Sequence, residues 1–302
     1  MKRTDRRPGN LEDWNDMNKK IWALLLALAM TLSLAACGGG DAAADTADTT
    51  EDTAAEDTAD TGDAEAAESD LAYVQDKGTL VVGITEFEPM DYQDADGNWI
   101  GFDADMAAAF AESLGVDVEF QVIDWDNKVM ELDGKTIDVV WNGMTLTDDV
   151  KAAMECSNPY FDNAQVVIVP ADKAADYQTV ESVQDLAFSV EIGSAAKEQA
   201  DAYGFNYTEA ADQATALLEV SSGTADAAII DYLMSVAMTG EGTSYADLTS
   251  TVSLNTEQYG VGFRKGSDLA AALNDFFAEK YADGTMAQIA DKYGIADKLV
   301  EQ

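Results

Sequence analysis

Residues 38–70 hold twelve Asp and Glu, no Lys, Arg or aromatic residue, and otherwise only Ala, Thr, Gly and one Ser. Such a tract has too little apolar surface to offset the entropy lost when a backbone is ordered. It divides the chain: any packed core has to be built from residues 71–302. As a flexible tether, a stretch of this length spans about 30 Å on average, and more where its charges repel.

Ahead of the tract lies an apolar run of sixteen residues, 21–36, preceded by Lys19 and Lys20. At about 1.5 Å per residue it falls short of a bilayer core of about 30 Å, so a permanent span is not expected. Basic residues, a short apolar stretch and small residues before a cut describe a secretory signal. Met17 makes a conventional start for it. Leu34-Ala35-Ala36-Cys37 resembles a bacterial lipobox, which implies that Cys37 is lipidated and becomes the mature N-terminus. Arg6-Arg7 does not make a twin-arginine signal, given Asp5, Pro8 and Gly9 around it.

Charge and composition exclude much chemistry. The chain has 17 Lys and Arg against 58 Asp and Glu, and no histidine. Residues 71–302 keep eleven bases and forty-two acids. Phosphate binding needs Lys and Arg, so no nucleic-acid partner is expected. Without His there is no Ser-His-Asp triad and no imidazole base or metal ligand. Two cysteines build neither a disulfide scaffold nor a four-Cys metal site. Cys156 reads as a buried thiol. Residues 94–98 (DADGN) read as a turn, because their Gly falls at the wrong place for a calcium loop. No phosphate-binding Gly-rich loop occurs, and no cofactor or metal is expected.

Within 71–302, apolar strands and amphipathic helices alternate. Strands are expected at 79–84, 118–123, 137–141, 165–169, 187–190, 227–230 and 259–263. Helices are expected at 104–114, 125–132, 194–203, 210–221, 232–238, 269–281 and 286–293. The alternation implies an α/β fold with mostly parallel sheets, in two cycles and hence two lobes. A crevice between lobes is where a small ligand sits.

Five blocks in order resemble the periplasmic-binding proteins that serve polar amino acid ABC importers. They are residues 77–83 (KGTLVVG), 96–106 (DGNWIGFDADM), 137–147 (IDVVWNGMTLT), 157–160 (SNPY) and 223–231 (GTADAAIID). The resemblance runs from about Asp76 to Gly294. It implies the two-lobed periplasmic-binding-protein fold of type II, a Venus flytrap with two hinge crossings. Lobe 1 would comprise 71–165 and 260–302, and lobe 2 would comprise 166–259. The implied activity is capture of a small ligand by hinge closure, without catalysis. The implied partners are an ABC permease and the outer face of the bacterial membrane, reached through the lipid anchor, with the protein a monomer.

The same resemblance places residues in the ligand cleft. Phe87 and Trp125 stand where aromatic rings clamp the ligand; read alone, both are core aromatics. Gly143 and Thr145 match backbone and hydroxyl contacts to a ligand carboxylate. Ser194 and Ala195 open a helix whose N-terminus favours an anion. Asp231 matches the acid that accepts the ligand's α-ammonium, and it is also a natural helix N-cap. Asn142 stands where relatives often carry a small residue. Where the family usually places a carboxylate-binding Arg, this chain has Val150, followed by Lys151. Arg264, the only arginine of the folded part, is expected at the surface. Glu191 aligns with a position that contacts the ligand side chain; alternatively it is one more exposed acid. A missing Arg and an acid at that place suggest a cationic ligand, a basic amino acid or related amine. The main rival is an enzyme on the same fold, such as a dehydratase, with Glu86, Glu88 or Glu191 as acid or base, although nothing pairs them with a nucleophile. A ligand-sensing surface lipoprotein is the third reading.

Overall fold

A computed structural model describes residues 69–302. The expected leader, the lipidation site at Cys37 and the tether as far as Glu68 lie outside the described residues. The acidic tract stops earlier than its composition suggests. The Ser69 hydroxyl accepts from Ala72 N at 3.0 Å and caps α1 (Asp70–Lys77). Asp70 lies 2.9 Å from Arg264 Nη2. Both residues were assigned above to the tether, and both belong to the fold because a guanidinium is there to pair with Asp70. Arg264 itself is not on the surface. It is 9 % exposed, and its Nη1 donates to Leu132 O and Ile137 O at 3.2 and 2.9 Å. Composition could not show that two carbonyls and a carboxylate converge on it.

The chain then runs through β1 (Thr79–Ile84), the hairpin β2 (Tyr92–Gln93) and β3 (Trp99–Ile100), α2 (Phe102–Leu114), β4 (Asp117–Val122), a 3₁₀ turn (Trp125–Asn127) and α3 (Lys128–Asp133). Next come β5 (Val139–Thr145), α4 (Asp148–Ala153), β6 (Glu155–Cys156) and β7 (Phe161–Asn163). The middle of the chain supplies β8 (Gln165–Pro170), α5 (Val180–Val183), β9 (Ala187–Glu191), α6 (Ala195–Tyr203), β10 (Asn206–Ala210), α7 (Gln213–Ser222), β11 (Ala227–Asp231), α8 (Tyr232–Met238) and β12 (Leu248–Ser253). It returns through β13 (Glu257–Phe263) to α9 (Leu269–Ala282) and α10 (Thr285–Lys292).

These strands form two large sheets. The first has the order β4-β1-β5-β13-β6, with β7 also on β13; the second is β10-β9-β11-β8-β12. Each sheet has a parallel half, β4-β1-β5 and β10-β9-β11, as the alternation requires. Each also has an antiparallel half, and that half carries the crossings. β7 runs almost directly into β8, and β12 returns to β13. β13 pairs with β7 from Glu257, so the return to the first sheet begins before residue 260, while Gln165 already pairs with Asp231 in the second sheet.

Burial explains which strands could be read. β5 and β11 are buried nearly throughout and appear in the sequence as continuous apolar runs. β10 (NYTEA) is a largely exposed edge, and β12 (LTSTVS) buries only Leu248 and Val252, so neither shows a strong pattern. One core cluster, with Leu80, Trp141, Tyr160, Phe263 and Phe277, fills one face of the first sheet and continues to Ile230 of the second sheet and Leu233 of α8. A second cluster around Phe188 and Ile229 covers the other face of the second sheet, and a third around Ile137 and Met144 covers the remaining face of the first. With both faces covered, each sheet exposes its edge strands and the ends of its inner strands.

Candidate functional site

Ligands of open α/β sheets bind beyond the carboxyl ends of parallel strands, where loops leave backbone groups unpaired. In this chain the two parallel halves point such ends at each other. Thr85 and Phe87 follow β1, Trp125 follows β4, and residues 142–145 end β5. Opposite them, Glu191 ends β9, Ser194 and Ala195 open α6, and Asp231 ends β11. All nine residues singled out from the sequence (Phe87, Trp125, Asn142, Gly143, Thr145, Glu191, Ser194, Ala195 and Asp231) line one inner cavity. It is nearly filled by its own walls, leaving about 30 Å³. A wider groove of about 1030 Å³ adjoins it, sharing Thr145, Thr147, Ala195 and Glu198, and carries Asp148, Asp149, Asp162 and Asp201 outward.

The first-lobe wall is braced from behind. Asn142 Oδ1 accepts from Thr85 N and Oγ1 at 3.0 and 2.7 Å, while its Nδ2 donates to Thr85 O and Asp91 Oδ2 at 3.1 and 2.8 Å. Asn142 therefore lines the cavity as a fastener of its own lobe, with both amide hydrogens spent. Gly143 adopts φ +54°, and a Cβ there would lie 2.5 Å from Phe87 Cε1, so the ring can stand against it only because the residue is glycine. The carboxylate contact expected of the Gly143 N–H is not open, because that N–H donates to Asp103 Oδ2 at 2.6 Å. Asp103 also accepts from Tyr160 OH at 2.8 Å, and burial pushes it up to about 7. The Thr145 hydroxyl likewise donates inward, to Glu257 Oε1 at 2.8 Å. Leu146 N donates to Gln258 O, so ladder alternation turns the Thr145 N–H away from β13.

The second-lobe wall is acidic and buried. Asp231, 5 % exposed, accepts from Asn163 Nδ2, Gln165 Nε2, Gln213 Nε2 and Tyr259 OH at 2.5, 3.0, 2.5 and 2.8 Å. Burial and the neighbouring Glu257 push its carboxyl up to about 7 even so. Glu191 is 3 % exposed, and its Oε1 has no hydrogen-bond partner among the described residues. It is not an exposed surface acid. Burial, then Asp231 and Asp212, raise it to about 8. The Ser194 hydroxyl donates to Glu191 O at 2.7 Å and accepts from Lys197 N at 3.3 Å, capping α6 toward the cavity.

Sequence reasoning missed Lys128, Gln213, Thr85, Thr147 and Glu198, which line the same cavity. Lys128 opens a short helix, and its spacing of three from Trp125 was the available signal, since such residues share a helical face. Gln213 reads as an ordinary helix start. Val150 also lines the cavity, whereas Lys151 lies only in the outer groove. Among the described residues no cluster of three or more Cys, Asp or Glu side chains is placed to hold a metal, and no helix is long and apolar enough to cross a membrane.

The profile of the bacterial extracellular solute-binding proteins, family 3, matches residues 80–296. The chain belongs to that family. It is 29 % identical over 236 residues to the L-cystine-binding protein TcyJ of Escherichia coli strain K12, covering 77 % of this chain and 88 % of that one. The arginine-bound form of truncated ArgBP from T. maritima superposes with a TM-score of 0.65 at 32 % identity, covering 69 % of this chain and 99 % of that one. An enzyme is among the relatives of this family-3 chain: the cyclohexadienyl dehydratase of Pseudomonas aeruginosa is 28 % identical over 120 residues, 39 % of this chain and 45 % of that one. The two-lobed α/β architecture is thus the family's own.

Proposed function

We propose that the protein is the substrate-binding lipoprotein of an ABC importer, held outside the cell by a lipid on Cys37, and that it captures an amino acid with a cationic side chain or a related small amine. The observation that carries this reading is the pair of buried acids, Glu191 and Asp231, in a cavity that unites every residue expected to touch the ligand. A buried carboxylate oxygen without a partner is costly, and a ligand cation supplies the missing one. Asp231 takes the α-ammonium in this reading, Glu191 the cationic side chain, and Phe87 with Trp125 the aliphatic stem.

The inner cavity is too narrow for such a ligand to enter unless the lobes part. Parting would come from the two crossings, between β7 and β8 and between β12 and β13. Contacts that form only when both walls meet the ligand then favour closure, and the closed form is what a permease would read. Arginine binding by the T. maritima relative supports a basic amino acid, and cystine binding by TcyJ supports an amino acid more broadly. Calorimetry against a panel of amino acids and amines tests it. Arginine, lysine or histidine should bind tightest, and Asp231→Ala should weaken binding by more than about 1 kcal/mol. Tight binding of aspartate or glutamate would end the cationic reading, and turnover of prephenate would move the chain to the enzymes.

A further inference from the structure

Among the described residues lining the inner cavity, Lys128 is the only base. It enters from the first lobe as the opening residue of α3 and is 8 % exposed. Its Nζ donates to Trp125 O at 3.1 Å and, across the cleft, to Gly193 O at 2.9 Å, while sitting 4.8 Å from the Trp125 ring centroid. The lobes touch at this point: a Cβ on Gly193 would lie 2.6 Å from Asp126 Oδ1. An ammonium has three N–H donors, and these two bonds use two.

The charges around it matter. Glu191, Asp126 and Glu198 all act on Lys128, while burial lowers its pKa. The Lys128 ammonium itself bonds two carbonyls and no carboxylate among the described residues. Val150, where a guanidinium was expected, brings no charge to the wall. A ligand carboxylate in this cavity would therefore meet one cation.

We infer that Lys128 is the carboxylate-binding cation of this site, and that the same ammonium ties the lobes together through Gly193 O. The inference rests on the reading of the cavity as an amino acid site. Lys is a point charge rather than a planar fork, so it fixes the carboxylate's position while the Thr145 N–H and the first amides of α6 fix its orientation. Because the Gly193 contact exists only with the lobes together, carboxylate recognition and closure pass through one atom.

The test pairs each basic amino acid with its decarboxylated amine: arginine with agmatine, lysine with cadaverine, histidine with histamine. Dissociation constants are measured for the full chain and for Lys128→Gln, which keeps amide donors for the two carbonyls but removes the charge. The wild type should prefer the amino acid of a pair, and Lys128→Gln should cut that preference about tenfold or more. If both members of a pair weaken equally, Lys128 is a latch alone and the inference fails. If the wild type binds amine and amino acid alike, the carboxylate is not read and the inference fails while the amine reading stands. If neither class binds, the site reading fails and takes the inference with it. Should Lys128→Gln not fold, the wild-type chain with ¹³C-labelled lysine carries the test: bound amino acid should raise the Lys128 titration midpoint, and no rise would overturn the inference.

Discussion

Binding of a cationic amino acid should strengthen steeply between pH 6 and pH 8. Glu191 is held up to about 8 by burial and by Asp231, and Asp231 is held up to about 7 by burial and by Glu257. A cation touching both stabilises their ionised forms, so each releases its proton on binding. Both are protonated below these values and ionised above them; affinity is therefore lost as pH falls and levels off above about pH 8. For a group titrating at about 8, the ionised fraction drops from about one half at pH 8 to about one hundredth at pH 6, a loss of about 50-fold. Asp231 adds about tenfold over the same interval. The two carboxyls repel one another and titrate as a pair, so the product, about 500-fold or roughly 3.7 kcal/mol, is an upper bound. Calorimetry with L-arginine in buffers of different ionisation enthalpy measures both the affinity and the protons released. A dissociation constant that does not change between pH 6 and pH 8, or proton uptake on binding, would refute the reasoning. The free protein should show the opposite trend in stability. Raised carboxyls favour the folded state below their unfolded values near 4, and that contribution disappears as pH climbs through 7 to 8, so thermal unfolding should move to lower temperature over that interval.

Two further substitutions probe the frame. Gly143→Ala places a Cβ 2.5 Å from Phe87 Cε1 and 3.2 Å from Tyr259 Cε2 at a positive φ, so it should cost about 1–3 kcal/mol of stability and weaken ligand binding together. Denaturant unfolding with unchanged midpoint would show that the ring moves freely. Arg264→Ala strips the cation from buried Asp70 and leaves Asp138, 3.7 Å from the same guanidinium, with Lys77 alone. It should lower stability by about 3–5 kcal/mol with the dissociation constant unaffected, because the pair lies away from the cleft. A large change in affinity without loss of stability would contradict that separation.

The inner parallel strands β5, β9 and β11 were legible because strands buried on both faces must be apolar throughout, as in residues 227–230. The edge strands β10 and β12 were not, since half-wet strands of Thr, Ser and Glu carry little pattern. The nine positions named by resemblance do line one cavity. What each atom does there was not readable. The Gly143 N–H is taken by Asp103, the Thr145 hydroxyl by Glu257 and the Asn142 amide by Asp91 and Thr85, all partners distant in sequence. Lys128 was missed and Arg264 misplaced at the surface for the same reason. A basic side chain looks solvated until the carbonyls that receive it are known.

The bond between Asp70 and Arg264 has a mechanical consequence. It rivets the helix nearest the acidic tract to the first sheet, whereas residues 165–253 hang between two short joints and include neither end of the described chain. If the lobes close as proposed, that inserted half can swing like a jaw against a fixed anvil without shifting the helix that begins at Asp70.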